Sequence, residues 1–172
     1  LYAAGDCSLA LLMDDDTPHL CIQLADALRA RGLMLATAES CTGGLIAGAC
    51  TDLSGSSDWF ERGFVTYSNA AKTELLGVPA ALIEAHGAVS EPVARAMAEG
   101  AVAHSHAQLS VAVTGVAGPT GGSADKPVGT VWFGWCVNGS THSECQRFDG
   151  DRAAVRAATV RHALAGLLAR LT

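Results

Sequence analysis

A serine set between a buried apolar strand and a run of small residues is the first place in this sequence where chemistry is expected. In Ala38-Glu39-Ser40-Cys41-Thr42-Gly43-Gly44, a strand over Leu33–Ala38 runs into a helix expected over Gly44–Asp52. Backbone N–H groups at a helix start lack intrahelical acceptors and can hold an anion or an oxyanion. Gly43 and Gly44 let a substrate approach the backbone closely. Ser40 is therefore a candidate nucleophile, with Thr42, Gly43 and Gly44 as candidate substrate contacts. Two other readings stand beside this one. Ser40 or Thr42 can be a plain helix N-cap. Cys41 can be the nucleophile, because a thiol at a helix start can have a lowered pKa, or it can be a small core residue.

A serine nucleophile needs a base, and Tyr67-Ser68-Asn69-Ala70-Ala71-Lys72 offers one. With Asn69 as N-cap, Lys72 falls in the first turn of a short helix, an unfavourable place for an ordinary surface lysine because the helix dipole is positive there. Acting as a base requires its pKa to drop from about 10.4 through burial or a neighbouring cation. The bland alternative is a solvated lysine. Further on, Thr114-Gly115-Val116-Ala117-Gly118-Pro119-Thr120-Gly121-Gly122 resembles a phosphate cradle. It is neither a Walker A loop nor a dinucleotide fingerprint, since no Gly-Lys-Ser/Thr closes it and the G-x-G-x-x-G spacing is missing. A long turn is the other reading. Arg152 can clamp a phosphate or carboxylate through two N–H groups, or pair with Asp149 or Asp151 at the surface.

The elements that must position these groups follow from periodicity and punctuation. Leu20, Leu24 and Leu28 share a helix face, with Thr17 as N-cap, Pro18 in the first turn and Gly32 as the stop. Strands are expected at Leu33–Ala38, Phe64–Tyr67 and Leu109–Thr114. Short helices follow Asn69 and Pro79, and a longer one follows Ser90 and runs to about His104. Val128–Val137 and Thr141–Phe148 form a hairpin around Asn138-Gly139. A last helix starts near Asp151, with Val160, Leu164, Leu167, Leu168 and Leu171 as its apolar stripe. Continuous apolar strands call for helices on both faces. The expected fold is a single three-layer α/β/α domain with a mixed, mostly parallel sheet, whose ligand lies beyond the carboxyl ends of the strands.

Composition narrows the function. The 172 residues are 49% hydrophobic and 16% charged, with a net charge of -6 and 11 scattered basic residues, which argues against a nucleic-acid surface. The 6 cysteines form no C-x-x-C pair and no histidine stands at ligand spacing from them, so free thiols in a reducing cytosol are expected and a metal site is not. No apolar run reaches membrane-spanning length. Residues 1–16 lack a basic n-region and read as a leader or an expression remnant.

Several segments together carry a family resemblance. Thr37–Gly44, Gly63–Asn69 with Lys72, Gly87–Val93, Thr114–Pro119 and Lys126–Val131 resemble the CinA C-terminal domain family, in order and with compatible spacing from about His19 to Leu171. The resemblance implies an α/β/α fold similar to anticodon-binding-type domains. It implies hydrolysis of nicotinamide mononucleotide to nicotinic acid mononucleotide and ammonia, in pyridine nucleotide salvage, with no metal or cofactor. The family's serine falls on Ser40, its tyrosine on Tyr67, its lysine on Lys72, its threonine on Thr114 and its arginine on Arg152. The expected site is then Ser40 as nucleophile and Lys72 with Tyr67 as base. Thr42, Gly43, Gly44, Thr114, Gly115, Gly118 and Arg152 are expected at the substrate, with helix-start N–H groups at the oxyanion. A cytoplasmic homodimer or higher homo-oligomer is expected. Two rivals remain: a serine amidase acting on another small carboxamide, and a non-catalytic nucleotide-binding or regulatory module of the competence or damage-inducible type.

Overall fold

A computed structural model describes residues 15–172, so the expectation of a leader lies almost wholly outside the described residues. In chain order the elements are α1 (Thr17–Arg31), β1 (Leu35–Glu39), α2 (Leu45–Thr51), a 3-10 turn (Ser56–Asp58), β2 (Phe60–Val65) and α3 (Asn69–Leu76). They continue with α4 (Ala80–His86), α5 (Glu91–Ala103), β3 (Leu109–Gly115), β4 (Thr130–Val137), β5 (Ser140–Arg147) and α6 (Arg152–Leu171). The strands form one sheet in the order β2-β1-β3-β4-β5. β1 pairs in parallel with both β2 and β3, whereas β4 runs antiparallel to β3 and β5. Only β4 is reversed in direction, so the mixed sheet matches the expectation.

Side-chain alternation divides the core. Leu35, Leu109, Val111, Val113, Val131, Phe133 and Trp135 pack with α1, α2 and α6 on one face. Ala36, Ala38, Ala112 and Cys136 meet Val93, Met97, Ala98 and Ala101 of α5 on the other. The residues on this second face are small because α5 lies close. A Cβ on Gly134 would fall 2.5 Å from the Ala94 carbonyl oxygen, and Ser110 Oγ donates to the Ala98 carbonyl at 2.6 Å. The hairpin turns through Asn138 and Gly139 with φ of 53° and 76°, the left-handed pair its sequence signals. No described helix is long and apolar enough to cross a membrane.

Three local expectations need correction. Asp16, not Thr17, occupies the N-cap position of α1. Ser68, not Asn69, caps α3, its hydroxyl accepting from the Ala71 amide at 3.0 Å, which makes Asn69 the first helical residue. The second strand is Phe60–Val65 rather than Phe64–Tyr67. Glu61 and Arg62 disguise it, because an edge strand can carry charged residues on its wet side. Thr66 and Tyr67 therefore lie past the strand end, where their carbonyls are free to face a side chain.

Candidate active site

Beyond the carboxyl ends of β1, β2 and β3 lies a cleft of about 370 Å³, lined by Ser40, Tyr67, Asn69, Lys72, Thr114, Arg152 and the loop from Gly115 to Gly122. Ser40 is the first residue after β1, its amide donating to the Val113 carbonyl at 3.1 Å. Lys72 projects from α3 and is only 1% exposed. Its Nζ lies 3.0 Å from Ser40 Oγ, 2.9 Å from the Thr66 carbonyl oxygen and 3.2 Å from that of Tyr67. A neutral amine has two N–H donors and one lone pair. With both donors given to the carbonyls, the lone pair is left for the serine hydroxyl. Burial pushes the Lys72 pKa below the usual lysine value, in the direction a base needs.

The rival thiol fares differently. Cys41 is buried, and that burial, the largest influence on it, pushes its pKa up to about 11. A thiol so raised stays protonated near neutrality and is a poor nucleophile.

Tyr67 lies on the rim. Its backbone carbonyl accepts from Lys72, while its hydroxyl accepts from Arg152 Nη2 at 3.3 Å. The phenol does not stand between Ser40 and Lys72, whose contact is direct, so a relay through the tyrosine hydroxyl is not what this geometry provides. Arg152 is the first residue of α6 and also donates to the Gly118 carbonyl at 3.0 Å. The surface pairing with Asp149 or Asp151 is absent: Asp151 instead caps α6 through the Ala154 amide at 2.9 Å, and among the described residues no carboxylate lies within salt-bridge distance of Arg152.

The glycine loop supplies uncommitted donors. Among the described residues, the amides of Ala117, Gly118, Thr120, Gly121 and Gly122 have no protein acceptor. Gly115 is needed for packing, since a Cβ there would come within 2.7 Å of Val131 Cγ2. Gly118 has a φ of +81°, in the left-handed region that favours glycine. Thr114 lies at the cleft with its hydroxyl donating to the Ala88 carbonyl at 2.9 Å, which leaves that oxygen only as an acceptor toward a ligand.

The turn after Ser40 departs from expectation. Thr42 is fully buried, its hydroxyl donating to Glu39 Oε1 at 2.6 Å, and neither it nor Gly43 nor Gly44 lines the cleft. Gly43 and Gly44, with φ of 58° and 105°, form the turn. The helix-start donors are also occupied: the Ile46 and Ala47 amides bind the Glu39 carboxyl group at 2.8 and 3.0 Å. The Gly43 amide binds the Ser40 carbonyl, and that of Leu45 the Thr42 carbonyl. These groups are not free for an oxyanion. Sequence reasoning passed over Glu39, although a carboxyl group at the end of a buried apolar strand is itself a signal. It also missed Arg156, which donates to the Cys41 and Thr42 carbonyls at 3.1 and 3.2 Å and braces the same turn. Among the described residues, no group of three or more His, Cys, Asp or Glu side chains could hold a metal ion.

Comparison with known proteins identifies relatives of the whole domain. The family model described as the CinA C-terminal domain matches residues 19–171. A protein of Enterobacter agglomerans named nicotinamide-nucleotide amidohydrolase PncC is 56% identical over 139 residues, covering 80% of this chain and 85% of that protein. The protein of the same name from Escherichia coli strain K12 is 51% identical over 156 residues, covering 89% of this chain and 93% of that one. Among solved structures, the competence/damage inducible protein CihA from Agrobacterium tumefaciens superposes with a TM-score of 0.87 at 49% identity, covering 90% of this chain and 94% of that one.

Proposed function

Because the chain belongs to the CinA C-terminal domain family, we propose that it is an amidohydrolase that converts nicotinamide mononucleotide to nicotinic acid mononucleotide and ammonia, with Ser40 as nucleophile and Lys72 as base. The observation that carries this reading is the 3.0 Å contact between a buried lysine amine and a serine hydroxyl at the mouth of a cleft. Relatives named nicotinamide-nucleotide amidohydrolase supply the substrate.

The steps follow from the groups present. Neutral Lys72 accepts the Ser40 proton as Ser40 Oγ forms a bond to the carboxamide carbon. The carboxamide oxygen gains charge, and the uncommitted amides at the cleft, that of Cys41 and those of the Ala117–Gly122 loop, are donors available to it. The C–N bond then breaks, and Lys72 returns its proton to the departing ammonia. Water attacks the Ser40 ester, giving a proton to Lys72. The acid leaves, and Ser40 recovers its proton from the lysine. Thr114, able only to accept, suits a donor on the substrate such as the carboxamide N–H or a ribose hydroxyl. Arg152, with no carboxylate partner, suits the phosphate. The product then enters pyridine nucleotide salvage.

Ammonia release from nicotinamide mononucleotide, nicotinamide riboside and simple carboxamides tests the substrate. The expected result is turnover of the mononucleotide and strong loss with the riboside, which lacks the anion for Arg152. Equal turnover of all three would point to a general small-carboxamide amidase, and binding of the mononucleotide without ammonia release would point to a binding module.

A further inference from the structure

The Glu39 side chain is 1% exposed and lies one residue before the nucleophile. Three donors converge on its two oxygens: Thr42 Oγ1 at 2.6 Å, the Ile46 amide at 2.8 Å and the Ala47 amide at 3.0 Å. α2 begins after Gly44, which has no side chain with which to cap it. Its first free amides are instead satisfied from Glu39, upstream across the turn. The same residue reaches the other half of the site through its backbone, since its carbonyl accepts from the Thr66 amide at 2.8 Å. Thr66 in turn offers its carbonyl to Lys72 Nζ. Glu39 thus joins the turn that carries Ser40 to the segment that anchors Lys72, while touching neither the cleft nor the reacting atoms.

We propose that Glu39 is a positioning residue for catalysis, whose carboxyl group ties the Ser40 turn to α2 and so holds Ser40 Oγ on the Lys72 amine. This rests on the Ser40–Lys72 reading above. It also accounts for the fate of the Ile46 and Ala47 amides, which bind this side chain and so fix the nucleophile in place. Displacing a reacting group by about 1 Å can lower a rate on the order of a hundredfold. Loss of this tether therefore acts on the rate of attack rather than on substrate affinity, whose determinants lie on the other walls of the cleft.

The test is the rate at which a fluorophosphonate labels Ser40, which needs no assumption about the natural substrate. In that reaction Oγ–P forms, P–F breaks, fluoride leaves and the serine proton passes to Lys72. Glu39→Gln keeps the shape but faces an amide N–H₂ toward backbone donors. Folded Glu39→Gln, checked by circular dichroism and thermal melting, is expected to label on the order of tenfold to a hundredfold more slowly than wild type, and to lower kcat on nicotinamide mononucleotide with KM unchanged. Labelling at the wild-type rate overturns the proposal. If Glu39→Gln does not fold, Thr42 decides. Thr42→Val, which removes one donor, is expected to slow labelling, while Thr42→Ser, which keeps it, restores the rate. Equal rates in both Thr42 variants overturn the proposal. Absence of labelling in wild type, with Ser40→Ala as the blank, removes the serine premise and the proposal with it. Labelling without ammonia release from the mononucleotide overturns only the substrate assignment.

Discussion

Lys72 is held by two carbonyls and a hydroxyl, with no carboxylate among its hydrogen-bond partners. Its charged form is disfavoured by burial, so its pKa lies below the ordinary value. Activity should rise with pH through that lowered value, because only the neutral amine can take the serine proton. Stability should change in the same direction. Between the folded value and about 10.4, the unfolded chain binds more protons than the folded one, so stability rises with pH across this window. Below the folded value, the cost of burying the ammonium is felt in full. Lys72→Met should abolish turnover and lose this gain, so thermal melts from neutral to alkaline pH should show wild type gaining relative to the variant. Parallel melting curves for the two would contradict the account of Lys72. The neighbouring thiol gives a separate check. Cys41, raised to about 11, is protonated under assay conditions, and Cys41→Ala should keep most of the activity. Loss of turnover in folded Cys41→Ala would return the thiol to consideration.

The elements differ in what they ask of their residues. α6 begins at Arg152 with Asp151 as cap, so its guanidinium reaches across the cleft mouth to Gly118 and Tyr67 without serving helix stability. Arg152→Ala should therefore leave the melting temperature near that of wild type while raising KM for the mononucleotide on the order of tenfold or more. An unchanged KM would remove Arg152 from the substrate site. Much at this scale was legible beforehand. The Asn138-Gly139 turn, the Gly32 stop and the succession of elements along the chain followed from period and punctuation. What was not legible arose from tertiary contacts. Glu39, five residues upstream of Gly44, supplies the cap of α2, and no local capping pattern reveals that. β2 hid behind Glu61-Arg62 because it is an edge strand. Ser68 took the cap expected of Asn69 because either residue type suits it.

At the scale of the molecule, the sheet places Ser40, the Lys72 anchor and the glycine loop at the ends of three adjacent parallel strands, β1, β2 and β3. Their meeting at one cleft could be anticipated from strands that end in unusual loops. The direct lysine–serine contact could not, since it depends on how α3 packs against α4 and α5. The side-chain division of the core has the same status: apolar strands foretold two covered faces, but only packing shows one face reduced to alanine, serine, glycine and cysteine so that α5 can approach. The central claim, that this frame delivers a serine nucleophile to a nucleotide carboxamide, is tested most directly by ammonia release from nicotinamide mononucleotide, with wild type and Ser40→Ala measured side by side. The account predicts release by wild type and none above background from a folded Ser40→Ala. Release by the variant at a rate close to wild type would contradict it.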